Sequence, residues 1–402
     1  MLNEEKIGVL AKHNGDAFYL LHSEQFKQNF AELKGAFARI YPNINIAYSY
    51  KTNYTPKLCR LVNVMGGLAE VVSDMELEIA LRVGVKPENI IWNGPFKNSS
   101  KVEWLLLEGG TVNLDSAIEL PLFERIASEN PKKKINIGIR VNFAINDDVL
   151  SRFGFDVESK EFAHALEVIQ SYDNVCLKEI QCHYATRRLE TWRPRAEGMI
   201  ALLDRIGIMP DRIDLGGGLY GKIDERLKLQ FSAYIPTYEE YAEAVAPVFL
   251  ERYGALDNPP QLIIEPGSAL VGDCMSFIAK VVSIKDVRGK MFATMLGSMH
   301  NINMGKNNPP MTIYHLGNDP MECHNADIVG YTCIEGDVIY RNFNGMLSVG
   351  DFLEFGNCGS YSVVLKPPFI LPNFPVLDIS GSEVEVIKRG EVFDDLFRTF
   401  KF

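Results

Sequence analysis

Residues 46–83 read IAYSYKTNYTPKLCRLVNVMGGLAEVVSDMELEIALRV. A short strand-like run, Ile46–Lys51, is followed by an amphipathic stretch of helical length, Pro56–Met65. The unit then repeats, with Ala69–Ser73 as strand and Met75–Val83 as helix. Two β-α units in under forty residues point to parallel strands joined by crossover helices.

The alternation continues outward. Further strand-like runs are Asn89–Asn93, Thr111–Leu114, Ile135–Val141, Leu177–His183, Arg212–Leu215 and Gln261–Glu265. Helical stretches between them include Lys101–Leu107, Ala117–Ala127, Glu161–Ser171, Arg195–Ile206 and Tyr238–Arg252. Eight β units alternating with helices predict an α/β fold, a (β/α)8 TIM-like barrel over residues 23–275. An open doubly wound sheet is the alternative that periodicity leaves open. After residue 276 the texture changes to Val281–Val287, Phe292–Leu296, Asp337–Tyr340, Asp351–Phe355 and Tyr361–Leu365, separated by Gly, Asn and Pro turns. These predict a second, antiparallel β domain over 276–402, joined by residues 1–22, where Ala17–Leu21 is another strand candidate.

Composition narrows the class. Of 402 residues, 47% are hydrophobic and 23% charged, an ordinary globular balance. The 41 Lys and Arg against 52 Asp and Glu give a net charge of −11, which argues against a nucleic-acid or anionic-membrane surface. Seven scattered cysteines without a CxxC pair suggest neither a zinc site nor a disulfide framework, so no metal is expected. The N-terminal MLNEEKIGVLAKHNGD carries charges where a signal peptide needs an apolar run, and no apolar stretch is long enough to span a bilayer. The expectation is a soluble, reduced, cytoplasmic protein.

In a parallel barrel the active site forms at the C-terminal ends of the strands. Lys51 follows IAYSY, His183 follows EIQC, glycines 216–218 follow RIDL, and Glu265 follows LII. Taken singly, each has a bland explanation: a surface charge, a satisfied turn histidine, a tight turn, a Glu-Pro-Gly turn. Their coincidence at one rim points to a site.

The segments around them resemble the fold-type III pyridoxal-phosphate (PLP) decarboxylases, the group of diaminopimelate, ornithine and arginine decarboxylases with an alanine-racemase-like fold. AYSYKTN (47–53) resembles the group's YxxKAN, AEVVSDMELE (69–78) its DVASxxEL, and IIWNGPFKN (90–98) its strand ending in GxxK. VNLDSAIEL, SRFGFD, CHYAT, DLGGGLYG, EPGSALVGD, TCIEGD and GSY follow in the group's order and cover nearly the whole chain. The resemblance implies that Lys51 carries PLP as a Schiff base and hands it to the substrate amine. It further implies Glu265 against the pyridine nitrogen, where a carboxylate favours the protonated ring. His183 would stack on the ring, Gly216, Gly217 and Gly218 would admit the phosphate, and Tyr361 would reach the phosphate from the β domain. Cys333 in GYTCIEGD corresponds to a cysteine contributed across a homodimer interface as a proton donor. From composition alone it would be a buried small hydrophobe. Asp337 occupies the group's following acidic position at the same interface.

Four departures bear on the substrate. HxGS reads His183-Tyr184-Ala185-Thr186, the arginine of EPGR is Ser268, GMNDLIRP is SMHNINMGKNNP (298–309), and the acid directly after the cysteine is Ile334. Arg187, Arg188, Arg193 and Arg195 are a local basic gain just after His183, with Arg188 the candidate partner of an anionic substrate end. The expected reaction is PLP-dependent decarboxylation of an amino acid, or of an amino-acid moiety in a larger conjugate of siderophore or antibiotic type. Negligible turnover of diaminopimelate, ornithine and lysine is expected with it. A diaminopimelate decarboxylase of lysine biosynthesis, an amino-acid racemase and a non-catalytic regulatory homologue are the alternatives.

Overall fold

The computed structural model describes residues 2–145, 147 and 149–401. The chain divides into two compact units, one of residues 28–221 and 233–269, the other of 1–27, 222–232 and 270–402. The expected boundaries stood at 22/23 and 275/276, and the short return 222–232 to the second unit has no signal in the strand-helix alternation.

Strand β1 (Ala17–Leu21) belongs to the second unit. The first unit is built from β2 (Ile44–Ser49), β3 (Leu68–Val71), β4 (Ile90–Trp92), β5 (Thr111–Leu114), β6 (Ile135–Asn142), β7 (Val175–Tyr184), β8 (Arg212–Gly217) and β9 (Gln261–Glu265). Each pairs in parallel with the next. The ring closes because Leu262, Ile263 and Ile264 of β9 pair with Ile44, Asn45 and Ile46 of β2. That closing ladder makes it a barrel and removes the open doubly wound sheet.

The crossover helices start and stop where local chemistry dictates. Ser73 accepts a hydrogen bond from the Glu76 amide at 3.2 Å, capping the helix Asp74–Arg82. Gly207, at φ 67°, ends Trp192–Ile206 in the left-handed conformation that a Cβ would strain. Inward faces such as Leu58, Cys59 and Val62 of Pro56–Val64 are buried. Parallel strands covered by helices on one side and a filled interior on the other explain runs with almost no exposed position.

In the second unit, β10 (Met275–Val287), β11 (Lys290–Met295), β12 (Met311–Tyr314), β13 (Met321–Val329), β14 (Val338–Leu347), β15 (Phe352–Phe355), β16 (Val376–Asp378) and β17 (Glu385–Lys388) join β1. The path runs β14-β13-β11-β10-β1-β16-β17, with β15 against β10 and β12. The sheet is mixed, not antiparallel throughout: β1 with β16 and β11 with β13 are parallel. One element was not anticipated, and one further expectation needs correction. Residues 4–14 form a helix, Glu4–Asn14, whose Ile7 and Leu10 pack with Phe18, Leu20, Ile278 and Leu377. Tyr361–Leu365 is a turn and not a strand. Gly359 donates to the Gly272 carbonyl at 3.0 Å and Cys358 to that of Met275 at 3.1 Å, holding the backbone out of any ladder.

Candidate active site

Because side chains alternate along a strand, β7 sends Glu179 and Gln181 into the barrel with His183 above them. The barrel interior is polar here. In the lower layer, Asn113 on β5 donates to Glu179 at 2.6 Å, and the Arg212 guanidinium lies 3.1 Å from the same carboxylate. In the layer above, Asn113 donates to Asn93 Oδ1 at 2.7 Å. Asn93 donates in turn to Glu265 at 2.6 Å and to Glu70 at 3.2 Å. Gln181 donates to the second Glu265 oxygen at 2.9 Å. Two fixed amide donors therefore orient the Glu265 carboxylate at the end of β9.

Lys51 lies in a 3-10 turn, Tyr50–Thr52, directly after β2. Its ammonium donates to Glu70 Oε2 at 2.6 Å and to Ser49 Oγ at 3.4 Å. Glu70, at the end of β3, is fully buried. Burial alone would raise its pKa, but the Lys51 cation and the Lys51, Ser49 and Asn93 hydrogen bonds outweigh it and hold the carboxyl below its ordinary value. Lys51 keeps 31% of its side chain exposed, so its amine stays reachable. Glu70→Gln would remove this anion. Water reaching Lys51 reduces the effect from the several kcal/mol of a fully buried pair to about 1–2 kcal/mol. The expected result is a lower urea midpoint at unchanged slope; an unchanged midpoint would show that the pair contributes nothing.

Glu265 sits differently. Burial, and then the charges of Glu70 and Glu179, push its carboxyl up to about 7 despite Lys51. Behind it, Asp214 on β8 is fully buried, and burial with Glu265 and Glu179 raises its pKa well above the ordinary carboxylate value. The His183 imidazole is held well below its ordinary pKa by burial and by the Lys51, Arg140 and Arg195 cations. It is a neutral ring at pH 7.

The glycines after β8 are needed for close packing. A Cβ on Gly216 would lie 2.1 Å from Glu265 Oε2, and one on Gly217 2.2 Å from the Tyr184 carbonyl. Gly217 also has φ +132°, which side chains disfavour. Gly218 donates its own N–H to the Tyr184 carbonyl at 3.2 Å, so that amide is already used. Tyr184, the neighbour of the Ala185 that stands in place of the motif's glycine, is buried. Its hydroxyl donates to the Phe143 carbonyl at 2.6 Å.

The four arginines separate. Arg195 is fully buried, donating to the Thr186 and Gly216 carbonyls at 2.7 and 3.3 Å, with its guanidinium 4.3 Å from the Trp192 ring centroid. Arg193 pairs with Glu197 one turn on. Arg188, the expected partner of an anionic substrate end, is already opposite Asp147 at 3.3 Å and Glu190 at 3.6 Å. Arg187 reaches Ser268 Oγ at 3.4 Å.

In the second unit, Cys333 is the one exposed cysteine of the seven, which removes the buried-hydrophobe explanation. Ile334 beside it is 47% exposed. Asp337, expected at the same interface, turns inward instead. It is 3% exposed, and its carboxylate accepts from the Met299 amide at 2.7 Å and from Ser298 and Thr332 hydroxyls. Tyr361 is held at φ 56°, an uncommon conformation for a tyrosine that the pinned Cys358–Ser362 turn imposes. Among the described residues no group of His, Cys, Asp and Glu is arranged to hold a metal ion, and no helix is long and apolar enough to cross a membrane.

Sequence reasoning missed Glu70, Asn93, Gln181 and Asp214. The signal was present: a polar residue amid each buried strand, in step with the inward face.

The family model described as pyridoxal-dependent decarboxylase, pyridoxal binding domain, matches residues 24–272. The diaminopimelate decarboxylase of Archaeoglobus fulgidus is 25% identical over 417 residues, covering 97% of this chain and 94% of that protein. That of Aquifex aeolicus is 25% identical over 411 residues, covering 96% and 91%. Among solved structures, the diaminopimelate decarboxylase from M. jannaschii in co-complex with L-lysine superposes with a TM-score of 0.85 at 25% identity, covering 99% of this chain and 94% of that one. The Paramecium bursaria Chlorella virus arginine decarboxylase shares the fold, with a TM-score of 0.74 at 20% identity over 94% and 100% of the two chains.

Proposed function

Given that the chain belongs to the pyridoxal-dependent decarboxylases, and is thus a PLP-dependent carboxy-lyase, we propose that it decarboxylates an amino acid of the diaminopimelate type at the rim formed by Lys51, Glu70, His183 and Glu265. The decarboxylase relatives support this reading over the racemase, and the retained Lys51 and Glu265 support it over a non-catalytic homologue. The observation that carries the reading is the hydrogen-bonded layer inside the barrel in which Lys51, Glu70, Asn93, Gln181 and Glu265 meet.

The residues present fit the cofactor. Bound PLP supplies an electron sink for the electrons left at the α-carbon when CO₂ departs. Lys51 supplies an amine to this layer, and Glu70 holds it at a fixed place. Glu265, with a pKa of about 7 set first by burial, can share a proton with a ring nitrogen placed against it. Neutral His183 offers a flat face for stacking without adding a cation that would compete with that proton. Asn93 and Gln181 keep the Glu265 carboxylate from rotating. Cys333 serves as proton donor in the partner's site of a homodimer, and its exposure supports that role.

The relatives support the diaminopimelate-type substrate better than a large conjugate. The conjugate reading keeps one observation, the exposed apolar Ile334 where an acid would meet a distal ammonium. It has lost another, since Arg188 is paired. Specificity constants decide between them. Our reading expects meso-diaminopimelate to exceed L-lysine, L-ornithine and amino acids with neutral or anionic far ends by at least about tenfold, or 1.4 kcal/mol. A higher constant for any neutral, anionic or conjugated amino acid would favour the second reading.

A further inference from the structure

An arginine with no carboxylate beside it is uncommon in this part of the molecule. Arg188, Arg193, Arg140 and Arg212 each have an acid within ion-pair range, and Arg195 is enclosed by carbonyls and an indole ring. Arg187 has none among the described residues. Three contacts nevertheless hold it in place. Its carbonyl accepts from the Tyr241 hydroxyl at 2.6 Å. Its guanidinium lies 5.3 Å from the Tyr220 ring centroid. Its stem lies against the glycine turn, where a Cβ on Gly218 would be 2.6 Å from Arg187 Cγ.

The guanidinium thereby spans two adjacent strand ends. The turn after β8 holds Gly216–Gly218, the turn after β9 holds Ser268, and these strands pair through Gly216 and Glu265. Ser268 Oγ is 3.4 Å from the Arg187 side chain. Ser268 occupies the position where the sequence loses an arginine, and the Gly218 amide is already bonded to Tyr184. Among the described residues, the arginine here without an acid partner is Arg187, and a dianion received at this rim would meet it from a different strand end.

We propose that Arg187 is the cation that holds the phosphate of PLP, replacing from the end of β7 the charge absent at Ser268. The inference rests on the PLP reading above. A planar fork suits a phosphate, and the pinned stem lowers the entropy lost on binding.

The test compares two forms of the cofactor. Protein stripped of PLP is titrated with PLP and, separately, with pyridoxal, which lacks the phosphate; absorbance of the Lys51 adduct reports binding. Arg187→Met keeps the stem and removes the charge. The expected result is a Kd for PLP raised about 10- to 100-fold, the range of a lost hydrogen bond to a charged group, with pyridoxal unaffected and Arg187→Lys recovering most of the loss. Equal weakening of both ligands would make Arg187 a structural residue, and no weakening of PLP would remove it from the site; either overturns the proposal. If the unaltered protein gives no Lys51-dependent absorbance with either ligand, the PLP reading of this rim fails and takes this proposal with it.

Discussion

Lys51→Ala is expected to lower kcat by at least about a thousandfold, roughly 4 kcal/mol of barrier at 1.36 kcal/mol per tenfold. It should also leave bound PLP removable by dialysis. The size follows from position. Lys51 brings its amine to the layer that includes Glu70, Asn93 and Glu265, and alanine leaves no nucleophile in its place. Stability should fall by about as much as in Glu70→Gln, about 1–2 kcal/mol, because Glu70, buried and still bonded to Asn93, loses its cation and must take up a proton. A variant retaining a tenth or more of wild-type kcat would remove Lys51 from the chemistry.

The second large effect concerns assembly. Cys333→Ala should lower kcat by about 10²- to 10⁴-fold, the usual range for loss of a general acid. Mixed with Lys51→Ala chains under conditions of subunit exchange, it should recover activity. In an isologous dimer with shared sites, half of randomly mixed dimers are hybrids and each regains one of two sites, so about a quarter of wild-type activity returns. Recovery of none, in a mixture shown by mass to contain hybrids, would place Cys333 in the site of its own chain or outside any site.

The barrel was legible because its signal is local and repeated. Thr111–Leu114 and Gln261–Glu265 end where the sequence pattern ends. In a parallel sheet covered on both faces, a continuous apolar run bounded by turn residues is all that a strand requires. The second unit was less legible for the opposite reason. Met321–Val329 alternates buried Cys323 and Ala326 with exposed His324 and Asn325 and carries bulges in its pairing with Val338–Leu347, so no clean period survives. Helix Glu4–Asn14 was hidden by charges that, in place, are its first and last turns.

Within the site, Lys51 and Glu265 could be found because strand ends and motif order mark them. Glu70 and Asp214 could not be assigned that way. Their importance depends on which side chain meets them across the ring, a property of barrel closure and not of any one segment. The arginines make the same point. Four neighbours of like charge suggested one basic patch, and only partner geometry separates Arg187, which meets no acid among the described residues, from Arg188, held by Asp147 and Glu190.

The central claim is that this rim binds PLP through Lys51, and locating the cofactor on the chain tests it most directly. Protein loaded with PLP is reduced with borohydride, digested, and mapped by mass spectrometry. The account expects the pyridoxyl phosphate mass on the peptide containing Lys51 and on no other lysine at comparable occupancy. Finding it instead on Lys97, Lys222 or any other lysine would contradict the account.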